Sequence, residues 1–113
     1  MTTWQPFEDG RTLGRGGSEG GEIVQDDEHP GGARITLERN CLRAPFAITC
    51  GVYGWMVHTR FLADEETAQH AVAVMKAALA QVVALIPDED APDETEQIDE
   101  VTAAIADFVE RFP

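Results

Sequence analysis

Hydrophobic positions are unevenly spread along this chain, and the densest run lies between Pro45 and Ile86. Within it, Phe46, Ile48, Cys50 and Val52 alternate with small or polar residues, and Trp55, Val57, Thr59 and Phe61 do the same. A period of two places each set on one face of an extended chain, so residues 46–52 and 55–62 predict the strands of a β-hairpin. A two-residue turn at Tyr53-Gly54 pairs Val52 with Trp55, and one at Val52-Tyr53 pairs Cys50 with Trp55. Both keep the two apolar sets on one face, whereas a three-residue turn splits that face and is disfavoured. The opposite face then carries Ala47, Thr49, Met56, His58 and Arg60.

From Ala63 the period changes to that of a helix. Asp64 is suited to the N-cap, and Glu65 and Glu66 fall in the first turn near the positive helix end. Ala68, Val72, Met75, Leu79, Val82 and Ile86 recur at steps of three and four, a stripe suited to covering a sheet. Ala73, Ala77, Ala80 and Ala84 form a second stripe of small side chains, which lets another helix approach closely. That helix is either a later one in the same chain or one from a second copy. Pro87 ends the segment, giving a helix over 64–86. Beyond an acidic linker, Ile98, Val101, Ile105, Phe108 and Phe112 predict a second amphipathic helix over 94–112. Asp93 and Glu96 have capping-box spacing at its start.

Ahead of the hairpin the pattern is weaker. Residues 33–39 alternate, with Ile35 and Leu37 on one side and Arg34, Thr36 and Glu38 on the other, as in a half-buried strand. Residues 22–26 form a second, poorer candidate, because Ile23 and Val24 are adjacent and only one can face inward. Five glycines occur between Gly14 and Gly21, and their backbone entropy argues for a loop or mobile arm over 1–21. Trp4, Phe7 and Leu13 are its isolated apolar anchors. The predicted architecture is α+β: an antiparallel meander of about four strands, with two C-terminal helices packed on one face.

Charge narrows the function classes. The 113 residues include 21 acids and 8 bases, a net charge of −13, and ten of the acids lie after Ile86. Scattered single bases do not make a phosphate-binding surface, which argues against nucleic acid and against anionic membranes as partners. No apolar run is long enough to span a bilayer, and the first residues lack the basic and apolar regions of a secretory leader. A cytoplasmic location follows as the expectation, with Cys41 and Cys50 as reduced thiols.

Candidate chemistry is sparse. The glycine run lacks the preceding strand, following helix and Lys-Ser/Thr of a phosphate loop. The acids at 88–94 lack the glycine that a calcium-binding helix–loop–helix needs at the sixth position. His29 beside Asp26, Asp27 and Glu28 has no closely spaced second Cys or His, so no metal site is predicted. Cys50 and His58 are the tempting thiol–imidazole pair, but the preferred register puts them on opposite faces. No cofactor is predicted. Thr49, Tyr53, Met56, His58 and Arg60 are the candidate ligand- or partner-binding residues, and Ala73, Ala77, Ala80 and Ala84 the candidate interface.

The residues therefore point to a non-enzymatic interaction protein that self-associates, with a homodimer as the expected assembly. Two other readings stay open. One is a small-molecule binder or modest enzyme with a pocket between sheet and helices near Tyr53, Trp55 and His58. The other is an inhibitor or immunity-type partner of a basic protein, from charge alone.

Overall fold

The computed structural model describes residues 3–87 and 95–113. Five strands, β1 (Gln5–Pro6), β2 (Glu22–His29), β3 (Ala33–Arg39), β4 (Phe46–Val52) and β5 (Met56–Leu62), precede two helices, α1 (Glu65–Ala84) and α2 (Thr95–Arg111). The strands form one antiparallel sheet in the order β1-β2-β3-β4-β5, each beside its sequence neighbour. The fold is α+β, with one strand more than the hydrophobic pattern predicts. The linker acids at 88–94 and the Asp93–Glu96 capping box fall wholly or partly outside the described residues.

The helices lie against one face of the sheet. Ile35, Leu37, Ile48, Cys50 and Val52 meet Ala68, Val72, Met75, Leu79 and Val82, all buried. Val101, Phe108 and Phe112 of the C-terminal segment close the same core. Asp64 caps α1 by accepting the Thr67 N–H at 2.8 Å. α2 packs along the flank of α1 that bears Ala78, Val82 and Leu85. The Ala73, Ala77, Ala80 and Ala84 stripe is not among the residues that line this contact. Three of its members are exposed and Ala80 is half-buried.

β2 is longer than its composition suggests, and carries three consecutive acids inside a strand. Each acid has its own partner: Arg34 for Asp26, Lys76 for Asp27 at 2.6 Å, and the Tyr53 hydroxyl for Glu28 at 2.6 Å. A register shift between Ile23 and Gln25 is the local device that lets both Ile23 and Val24 find apolar surroundings. Among the described residues, no helix is long and apolar enough to cross a membrane.

The hairpin register differs from the expected one. Cys50 pairs with His58, Ile48 with Arg60 and Val52 with Met56, so the loop is the three residues Tyr53-Gly54-Trp55. The Trp55 N–H donates to the Val52 carbonyl at 2.9 Å, and Gly54 supplies the positive φ of +82° that this turn requires. As a result β5 is turned over. Met56, His58, Arg60 and Leu62 share the helix side with Cys50, while Val57, Thr59 and Phe61 face away. The strand is nearly symmetric in hydrophobicity, so its own pattern does not choose a face. The C-terminus makes the choice: the His58 Nε2–H donates to the Phe112 carbonyl, and the ring meets Phe108 edge-on. Arg60 lies 5.7 Å from the Phe112 ring centroid.

Candidate functional site

The sheet face turned away from the helices is laid out in three cross-strand rows. Ile23, Glu38, Ala47 and Phe61 form the first, Asp26, Thr36, Thr49 and Thr59 the second, and Glu28, Arg34, Gly51 and Val57 the third. The segment before β2 does not project from the domain as a free arm. It crosses the β2–β3 half of this face as a strap and is tied to it in each row.

Glu38 anchors the strap in the first row. Its carboxylate is fully buried and accepts the backbone N–H groups of Glu19 at 3.1 Å and Gly21 at 3.2 Å. A Cβ at Gly17 would sit 2.1 Å from the Glu38 carboxyl carbon, so only glycine lets the backbone come this close. In the second row Asp26 is the anchor. It accepts from Thr12 Oγ1 at 2.8 Å, from Thr36 Oγ1 at 3.0 Å, and from Arg34 through Nε at 2.8 Å and Nη2 at 2.6 Å. Burial pushes the Asp26 carboxyl up, but the hydrogen bonds from Arg34 and Thr12, the Arg34 charge and the Thr36 hydroxyl outweigh it and hold it below the usual range. In the third row the Arg34 guanidinium stacks 3.6 Å over the Phe7 ring.

The strap stops at β4, where Ser18 Oγ is 3.4 Å from Thr49 Oγ1. Between it and the hairpin loop lies a groove of about 820 Å³. Thr36, Thr49 and Gly51 make its floor, Gly16–Ser18 one wall, and Tyr53, Trp55 and Val57 the other. Gly51 is what makes the floor deep, because every other strand residue around it carries a side chain. This volume lies within the range of small-ligand sites.

The floor is polar but already satisfied. Arg34 is engaged with Asp26, Glu38 with the strap and Thr49 with Ser18, which leaves the guanidinium Nη1 side of Arg34 as the donor not used by Asp26. The far wall is apolar and open to solvent: Val57 is 80% exposed and Tyr53 51%. Burial first, and then the hydrogen bond to Glu28, push the Tyr53 hydroxyl up to about 12, so it stays protonated at neutral pH. Such a surface offers shape, apolar contact and a few hydrogen bonds.

The residues marked out by sequence divide between the two faces. Thr49 and Tyr53 line the groove, and Met56 reaches its edge from the end of β5. His58 and Arg60 do not belong to it, since the register places them under α2. The groove shares Tyr53 and Trp55 with the pocket expected between sheet and helices, but it lies on the face away from the helices and does not include His58. Cys50 and His58, expected on opposite faces, are direct cross-strand neighbours. They still make no thiolate–imidazole pair: burial pushes the Cys50 thiol up to about 12, and His58 is committed to Phe112. The Gly16–Ser18 wall and Gly51 were not among the expected site residues. A glycine in mid-strand is the signal that marks Gly51.

The chain is an α+β protein whose open sheet face is half strapped and half grooved. It matches no known family model, no curated protein and no solved structure.

Proposed function

We propose that this protein is a non-enzymatic binding module and that the open sheet face, from the strap across the groove to β5, is its working surface. The groove itself carries this reading. It is concave, lined by a polar floor and an apolar wall, and sits on the face that the helices leave free. The polar groups of the floor are spent on holding the strap, so they shape the surface without supplying a nucleophile or base, and the Nη1 side of Arg34 is left to orient a ligand. The Gly-rich strap, with its backbone pinned at Glu38 and its Thr12 hydroxyl held by Asp26, gives the groove a fixed wall and reduces the ordering cost of binding.

A fragment screen on the full chain, followed through backbone amide shifts, tests the reading. Hits are expected to shift Thr49, Gly51, Trp55 and Val57 together. The same hits should be lost in Gly51→Val, whose side chain fills the floor and brings its Cβ to 3.1 Å from the Met56 carbonyl oxygen, with unchanged amide shifts on α1 showing that the variant is folded. Hits that gather between α1 and α2, or that bind Gly51→Val as well as the native chain, would refute it.

A further inference from the structure

The two outer edges of the sheet are built differently. β1 spans only two residues and one is Pro6, which has no N–H to offer, so this edge gives an incoming strand little to pair with. β5 runs for seven residues, pairs with β4 without a bulge, and has no strand on its outer side among the described residues. It contains no proline and no lysine, and its single Arg60 lies on the helix side near the Phe112 ring rather than on the open face. Its side chains on the open face are Val57, 80% exposed, Thr59, and Phe61, 41% exposed. A long, regular, partly apolar edge is a surface made to be paired.

Charge narrows where a second copy can approach. Two copies of a chain at −13 repel each other wherever their acids meet. Met56–Leu62 has no acid and carries Arg60, so it is a place where two copies can approach at least cost. The strand is also self-complementary about its centre. Antiparallel pairing with itself around Thr59 opposes all seven residues and sets Met56 against Leu62 and Val57 against Phe61, with threonine on threonine at the axis.

We propose that a second copy of this chain pairs antiparallel with β5 about a two-fold axis at Thr59, joining two sheets into one. Thr59 meets the partner's Thr59, Val57 meets the partner's Phe61, and on the helix side His58 meets the partner's Arg60. Shifting the register leaves strand residues unpaired or drives the hairpin loop into the partner. The interface is isologous and closes on itself. It also completes the groove, which in one copy runs out at β5. In the pair its floor continues onto the neighbouring strand, with the partner's Phe61 standing beside Val57. This deepens the binding reading above and rests on it for the ligand, though not for the assembly.

Sedimentation of the full chain at micromolar concentration is expected to give a dimer. Val57→Lys, which replaces a side chain that touches little, should give a folded monomer. Thr59→Cys in a Cys41→Ser background should form a covalent dimer under a mild thiol oxidant, since the two thiols face each other across the axis. A monomeric native chain overturns the proposal. So does a dimer that survives both Val57→Lys and Phe61→Lys but separates on Ala77→Arg, because its interface would lie on α1. A monomer that still binds fragments in the groove defeats the pairing alone, and a dimer with an inert groove defeats the ligand reading alone.

Discussion

Asp26 is the residue on which the strapped half of the sheet most depends, and replacing it with alanine should be costly. The side chain is inaccessible to water and accepts four hydrogen bonds, two from Arg34 and one each from Thr12 and Thr36. Truncation leaves a guanidinium and two hydroxyls without their acceptor. Removing one member of a buried ion pair costs about 3–5 kcal/mol. Arg34 keeps a third of its side chain in water and recovers part of its hydration, which places the expected loss near the lower end, about 3 kcal/mol. Against a total stability of about 5–15 kcal/mol this is a large fraction. With a urea slope of ~1.5 kcal/mol/M, the unfolding midpoint should fall by about 2 M. Asp26→Asn separates charge from shape. A carboxyl whose folded pKa lies below its ordinary 3.8 contributes stability that is fully present above that value and is lost as pH falls through the folded one. The gap between native chain and Asp26→Asn should therefore be constant near neutrality and shrink below about pH 4. A midpoint shift under about 0.5 M for the alanine variant, or a gap that widens in acid, would refute the reasoning.

Other consequences follow from the same contacts. Gly17→Ala should lift the strap off Glu38, since its Cβ would overlap the carboxyl group. Amide exchange at residues 16–21 should then rise well before global unfolding, while α1 stays protected. Cys50, buried and with its thiol pushed up to about 12, should resist alkylation at neutral pH until the protein unfolds. Cys41, half-buried and raised by its own burial and by Glu38 and Glu19, should react first and slowly.

Much of this fold is legible in the residue pattern. The alternation over 33–39 and 46–52 gives β3 and β4 with their observed limits. The Asp64 cap and the stripe from Ala68 to Val82 place α1 and the face it buries. What escapes the pattern is decided by long-range contacts. β2 is predicted only over 22–26, and its continuation to His29 is not legible until Lys76 and Tyr53 are found opposite Asp27 and Glu28. β1 is too short to leave a period. The glycines between Gly14 and Gly21 suggest mobility because their entropy cost is visible and the compensating bonds to Glu38 are not. The hairpin register fails for a related reason. Val57 and Phe61 look as apolar as Met56 and Leu62, and only Phe108 and Phe112 make the His58–Arg60 side the inner one. That single reversal turns His58 and Arg60 from the open face, where the pattern places them, to the helix side, so the groove keeps Thr49 and Tyr53 and leaves those two out.

The most direct measurement is amide exchange along residues 56–62, followed as the protein is diluted. If the open face and its β5 edge are where this protein meets its partner, the outward N–H groups of β5 are protected at high concentration. They should lose that protection on dilution, with Ala73 and Ala77 on α1 unchanged. Exchange in β5 that ignores concentration, or protection that changes along the Ala73–Ala84 stripe instead, would contradict it.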